Sequence, residues 1–351
     1  MKKLPFFDGH NDVLLRLLRE FDDQPAQRFI AGNGRTHIDL PRARNAGFAG
    51  GFFAVFAPSP EQFDLEESQS EQGYSIPMPP PLPIEHAQKT TLRMFDLLEN
   101  IERQSDGQVR ICKTAAEVEE ARSREQIAAI LHIEGADCID ADFEMLDTLY
   151  ERGLRSIGLV WSRNNIFGHG VPFRFPATPD IGPGLTEHGK ALIAECNQRK
   201  VLIDLSHLNE KGFWDVASIS NAPLVATHSN AHRLCPSPRN LTDDQLKAIA
   251  NSGGVVGINF APCFLAENGI LSSTVPLEVL IAHTNHMVQA VGEDGVALGS
   301  DFDGVLMPDE IGDVEGVPKI FAALEKGGMR SSIIEKIAMS NWIRILRETM
   351  S

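Results

Sequence analysis

The chain has 351 residues and a formal net charge of −16, an excess of acid that argues against nucleic acid and anionic membrane as partners, since both require a basic face. The length suits one α/β barrel or two average domains. Five cysteines, widely spaced and free of any CxxC pair, fit buried thiols in a reducing, cytoplasmic compartment better than a disulfide framework.

No run approaches the ~18 apolar residues of a membrane span. The N-terminal Met-Lys-Lys-Leu is followed at once by PFFDGHND, without the apolar stretch of a signal peptide. The first predicted strand, Pro5–Asp8, leads into His10 and Asp12. In extended chain, positions i and i+2 face the same side, so both side chains can reach one ion. The competing reading, a polar turn after a buried strand, accounts for Asp8 and Asn11 but leaves His10 unexplained.

The second strand is predicted over Gly51–Ala57 and the third over Ala128–Glu134, with a helical pattern over His86–Gln104 between them. Glu134 closes the apolar run AAILHI and precedes Gly135. A carboxylate there can span two cations, one oxygen each, although an acid opening a helix would read the same way. His132 alternates to the side of Glu134 and reads as a barrel-interior histidine. Further strands are predicted over Ser156–Trp161, Val201–Ser206, Leu224–Thr227, Val255–Phe260 and Val296–Ser300. The helical patterns among and after them are Asp142–Arg152, Thr186–Arg199, Thr242–Asn251, Leu277–Val291, Pro318–Lys326 and Ser332–Glu348.

His207 and His228 end consecutive strands, and neutral imidazole suits zinc and similar divalent ions. His232 is a weaker candidate in the following loop. Asp301 and Asp303 flank Phe302 in GSDFDG. Asp301, at the end of the eighth strand, is placed as a general base; Asp303, before Gly304, also reads as a helix cap. Arg239 and Asn240, in the loop CPSPRN, could grip a substrate carboxylate or lie on the surface.

The strand runs are mostly continuous in apolar residues, as expected when helices cover one face and a barrel interior the other. Eight strand–helix alternations predict a single (β/α)8 TIM barrel over residues 1–351. Its binuclear metal site would lie at the C-terminal ends of the strands, where such barrels build their sites. Two long βα-loops interrupt the rhythm, at about 58–83 (with SIPMPPPLP) and 164–183 (with PFRFPATPDIGPG), and belong to the catalytic face.

Taken together, FFDGHND, PRARNAGFAGGFFAVF, LHIEGAD, VLIDLSH, THSNAHRLCPSPRN, GSDFDG and SNWIRIL resemble, in order and spacing, the membrane dipeptidase (renal dipeptidase) family of zinc peptidases. The resemblance implies two Zn2+ ions, one on His10, Asp12 and Glu134, the other on Glu134, His207 and His228. It implies Asp301 as acid/base, with a water held between the ions as nucleophile, and Arg239 on the C-terminal carboxylate of a dipeptide, L-Xaa-L-Xaa or L-Xaa-D-Xaa. It also implies a homodimer.

Two positions depart from the mammalian pattern: Trp161 stands where a substrate-contacting histidine is expected, and Ala261 where a tyrosine is expected. Arg163 or His169 would be the replacement donors. The rival readings are an amidohydrolase-type enzyme acting on a cyclic amide, lactone or phosphoester, and a catalytically silent metal- or ligand-binding barrel.

Overall fold

Eight parallel strands are present in the computed structural model, which describes residues 3–59 and 73–350. They are β1 (Phe6–Asn11), β2 (Phe48–Phe56), β3 (Ile127–Glu134), β4 (Leu154–Gly158), β5 (Leu202–Asp204), β6 (Val225–Ala226), β7 (Val255–Ile258) and β8 (Val296–Leu298). Each strand pairs with the next, and β8 returns to β1 at Asp8↔Leu298, closing the sheet. Helices separate consecutive strands, so the architecture is the expected (β/α)8 barrel. The first strand runs on to Asn11, past its expected end at Asp8, because a register shift between Asp8 and Asn11 keeps it paired with β2. A short additional strand, Val109–Ile111, pairs with the start of β3.

Alternation along each strand sorts the chemistry into layers. On β3, Ala129, Leu131 and Ile133 pack outward into the large core beneath the helices, while Ala128 and Ile130 join an inner cluster with Phe7, Phe52, Leu202, Val225, Val255 and Ala297. Trp342, from the C-terminal helix Asn341–Thr349, plugs this inner floor; its indole N–H donates to the Leu298 carbonyl at 2.8 Å. Continuing upward along the same face, His132 and Glu134 follow Ile130, and Asp204 follows Leu202. The barrel therefore passes from apolar floor to polar ceiling within four residues of strand.

The two long loops expected on the catalytic face meet each other. Tyr74–Ser75 pairs antiparallel with Arg174–Phe175, and the Ile76 N–H donates to the Phe173 carbonyl at 2.9 Å. The part of the first loop at 60–72 lies outside the described residues. Helix Asp243–Asn251 starts with a capping box, Thr242 and Gln245 satisfying each other's backbone N–H.

His283, buried in helix Leu277–Val291, ties two βα-loops together. Its Nδ1 accepts from Ala231 N–H at 3.2 Å and its Nε2 donates to the Leu265 carbonyl at 3.0 Å. Burial holds the ring neutral and lowers its pKa from 6.5 to about 4. The unfolded chain therefore binds the extra proton between these values. The contribution to stability is complete above pH 6.5 and is lost as the pH falls towards 4, reaching roughly 3 kcal/mol. His283→Asn keeps the acceptor without the titration, and other titrating groups cancel in the comparison. Urea unfolding across this range is expected to show the wild type losing more stability than the variant; parallel curves would remove His283 from the linkage.

Candidate metal centre

The strand ends bring His10, Asp12, Glu134, His207, His228 and Asp301 into one buried cluster. Glu134 lies at its centre. Its Oε1 is 2.9 Å from His207 Nε2 and 3.5 Å from His228 Nε2, while Oε2 faces His10 Nε2 at 3.8 Å. His10 Nε2 is also 3.3 Å from Asp12 Oδ2. The carboxylate thus divides its two oxygens between two donor sets, His10 with Asp12 and His207 with His228. Gly135, at φ 82°, adopts the left-handed conformation that turns the chain away just after Glu134.

Neighbouring side chains set the tautomers. The Thr227 hydroxyl donates to Asp204 Oδ2 at 2.6 Å, so its oxygen accepts from His228 Nδ1 at 2.8 Å. The His228 Nε2 lone pair is thereby left facing Glu134. Asp204 is held in turn by the Thr227 and Ser206 N–H groups at 2.7 and 3.0 Å. Gly257 and Gly299 make this packing feasible: a Cβ on either would stand about 2 Å from the Thr227 carbonyl oxygen. His207 Nδ1 pairs with Ser162 Oγ at 2.9 Å. Asn259 Nδ2 donates to Asp301 Oδ2 at 2.8 Å. His132 sits one layer down, with Nδ1 2.9 Å from Ser156 Oγ and Nε2 3.6 Å from Asp204 Oδ2.

The electrostatics show a site short of positive charge. Burial disfavours a charged His10, yet Glu134, Asp12 and Asp301 together push its pKa up to about 10. Burial also raises the Glu134 and Asp301 carboxyls, helped by Asp12, against the opposing pull of His10 and Arg239. Burial and the nearby cations keep His207 and His228 neutral. Asp12 Oδ1 and His10 Nδ1 are buried and have no hydrogen-bond partner among the described residues. His207 and His228 Nε2 stand only 3.2 Å apart. Buried acids, neutral imidazoles and unpartnered donor atoms converging in this way fit divalent cations, which would satisfy the ligand atoms and supply the missing charge.

The expected substrate residues are placed differently from one another. Arg239 is buried beside the cluster, donating through Nη2 to the His228 carbonyl at 3.0 Å and lying over the Phe264 ring, with no partner for Nε among the described residues. Trp161 packs 6.0 Å from the His207 ring, between Phe56 and Phe173. Arg163 is turned to internal bracing: Asp137 at 3.1 Å, Ser59 at 2.9 Å and the Ala57 carbonyl at 3.0 Å take up its donors. The Asn240 amide is likewise held by the Cys235 and Phe264 carbonyls. His169 lines a separate cavity of about 460 Å3 with Ser75 and Arg174. His232 bonds the Ala177 carbonyl, and Ala261 is buried beneath Asn259. Asp204, Thr227, Ser162 and Asn259 were not singled out in the sequence. An acid inside the apolar run VLIDLSH was the available signal for Asp204.

This is the site of a metal-dependent hydrolase barrel. All 351 residues match the membrane dipeptidase family (peptidase family M19), and the chain belongs to it. A metallo peptidase from Rhodobacter sphaeroides, solved with a phosphinate mimic of the dipeptide L-Ala-D-Ala, superposes with a TM-score of 0.96 at 47% identity, covering 99% of this chain and 100% of that one. An uncharacterized protein in the pqqA 5' region of Klebsiella pneumoniae is 47% identical over 251 residues, 72% of this chain and 93% of that protein. The dipeptidase tcpJ of Claviceps purpurea is 29% identical over 350 residues, 97% of this chain and 76% of that protein. No helix among the described residues is long and apolar enough to cross a membrane.

The bonds around Thr227 lead to a direct test. Thr227→Val keeps the shape and removes the hydroxyl that orients His228. Metal affinity is expected to fall about 10–100-fold, measured by competition with a chromogenic chelator. An unchanged affinity would show that His228 needs no such orientation.

Proposed function

We propose that this metallo-dipeptidase is a binuclear zinc enzyme that cleaves dipeptides, with Asp301 as its acid/base. The observation carrying the reading is the division of the Glu134 carboxylate between two donor sets. His10, Asp12 and Glu134 would hold one cation, and Glu134, His207 and His228 the other. Bound there, two divalent ions would supply Lewis-acid activation of water and of the peptide carbonyl.

The chain's own groups do the rest. Asn259 pins Asp301 Oδ2, which leaves Oδ1 to exchange a proton. Water adds to the carbonyl carbon as Asp301 takes one of its protons. The same carboxyl then delivers that proton to the amide nitrogen as the C–N bond breaks, releasing two amino acids. Arg239 would pair with the substrate's C-terminal carboxylate, and the carboxylates Glu134 and Asp301 would face its free amino group. Pairing at both termini selects dipeptides, because a longer peptide would leave one partner buried and unsatisfied.

Trp161, Phe173 and Phe264 form an aromatic flank that suits small apolar side chains. Phosphinate binding by the Rhodobacter relative supports acceptance of L-Xaa-D-Xaa substrates. The five unpaired, buried cysteines support work in the cytoplasm.

Two outcomes are expected. Chelation abolishes dipeptide hydrolysis and zinc restores it at two ions per chain, whereas Asp301→Asn stays inactive with both ions retained. Joint loss of metal and activity in that variant would make Asp301 structural. Arg239→Met keeps the buried stem and lowers kcat/KM by about 10–100-fold, the worth of a charged hydrogen bond. A C-terminally amidated dipeptide, with no carboxylate to pair, is expected to lose nothing further; an equal loss on both substrates would separate Arg239 from the carboxylate.

A further inference from the structure

Asp301 owes its direction to an unusual turn. Both Asp301 (φ 62°) and Asp303 (φ 70°) lie in the left-handed region, which costs on the order of 1 kcal/mol per residue and persists only when neighbours impose it. The first half of the turn is fixed from β1: Asp301 N–H donates to the His10 carbonyl at 3.0 Å, and Asp12 N–H to the Phe302 carbonyl at 2.7 Å. Ser300 adds to this, its N–H and Oγ held by Asp8 at 2.7 and 2.8 Å.

The second half is fixed by His37, 266 positions away in the chain. His37 N–H donates to Asp303 Oδ1 at 2.7 Å, and Asp303 N–H donates back to His37 Nδ1 at 2.8 Å. The His37 ring also packs edge-on against Phe302 at 5.8 Å. His37 sits in the loop between helices Pro25–Ala31 and Leu40–Ala46, and that loop is itself braced. Arg42 bonds Asp39, Asp313 and the Thr36 carbonyl, and the His37 carbonyl accepts from Val314 N–H at 3.2 Å. Burial, reinforced by Arg16 and Arg42 and opposed by Asp313, lowers the His37 pKa to about 4, so the ring is an acceptor at neutral pH.

Any shift of Asp303 passes directly into the site. Gly304, the next residue, lies so close to the carboxylates that a Cβ there would stand 2.3 Å from Asp12 Oδ2 and 2.6 Å from Asp301 Oδ1. We propose that His37 is a positioning residue for the hydrolysis: its reciprocal pair with Asp303 holds the left-handed turn that aims the Asp301 carboxyl at the bound peptide. The inference rests on the reading of Asp301 as the acid/base.

His37→Leu keeps the contact with Phe302 but offers no acceptor, whereas His37→Asn places Oδ1 where Nδ1 stood. The leucine variant is expected to lose about 10²-fold in kcat, the effect of a misplacement near 1 Å, with KM and bound zinc unchanged. The asparagine variant is expected to recover most of the loss. Wild-type kcat in His37→Leu, no recovery in His37→Asn, or zinc lost in step with activity would each overturn the proposal. Should His37→Leu fail to fold, Asp303→Gly takes its place: it tolerates the left-handed backbone, deletes the other half of the pair, and is expected to lose kcat alike. Retained kcat there overturns the proposal equally. Asp301→Asn, run alongside, separates the two failures. If it is inactive while the His37 and Asp303 variants are normal, this inference alone falls; if it is active, the reading of Asp301 falls first.

Discussion

A single buried carboxylate governs the arrangement of this barrel. Glu134 has no bulk water to stabilise its charge, so whatever faces it must do so. It is met by three imidazoles, one toward Oε2 and two toward Oε1. Asp12 and Asp301 sit close enough to raise its pKa further, while His10 and Arg239 oppose them. Ions of like charge gathered in a low-dielectric interior are costly unless a counter-charge joins them. Thr227, Ser162 and Asn259 fix the side chains that would face that counter-charge.

The same logic explains the layering. Below Glu134 on the inner face of β3 come His132 and then Ile130, each two residues apart. A period of two thus converts one strand into a gradient from apolar floor to polar ceiling. Between them lies a polar layer in which Thr227 donates to Asp204 and His132 Nδ1 pairs with Ser156, with His132 Nε2 3.6 Å from Asp204. It keeps the tautomer of His228 fixed while the apolar floor, closed by Trp342, excludes water from beneath.

The sequence showed the strands and the clustered His, Asp and Glu side chains well because both depend on local pattern. Strand-length apolar runs ending in His, Asp or Glu are visible in one dimension, and all eight expected strands form. Roles that depend on a distant partner were not visible. Arg163, two residues after Trp161 in sequence, looked like a substrate donor, but Asp137 and the Ala57 carbonyl occupy it from other loops. Asp303 looked like a helix cap and instead binds His37, far away in sequence. Helix Ala115–Ser123 was missed because its apolar positions are mainly alanines, with Val118 as the larger anchor, so its amphipathic pattern is weak. Asp204 was passed over because one acid within an apolar run reads as strand; its purpose emerges only with Thr227 beside it.

Backbone conformation at the rim shows how the fold commits to this chemistry. His207 and Asp301 both occupy the left-handed region, at φ 66° and 62°, although neither is a glycine. Strand geometry alone would point successive side chains to opposite faces and carry these residues past the centre. A left-handed residue at the strand end breaks that alternation and turns the side chain back over the barrel mouth. The cost is local, and it is offset by bonds that reach across several strands: Ser162 to His207, Asn259 to Asp301, and Asp8 to Ser300. Cation binding would favour the same geometry, because ligands already turned inward need no reorganisation. Folding and metal affinity would therefore be coupled through the His207 turn, and a substitution that relaxes it would weaken the ion's hold before it unfolds the barrel, whereas the Asp301 turn aims the carboxyl that moves the proton.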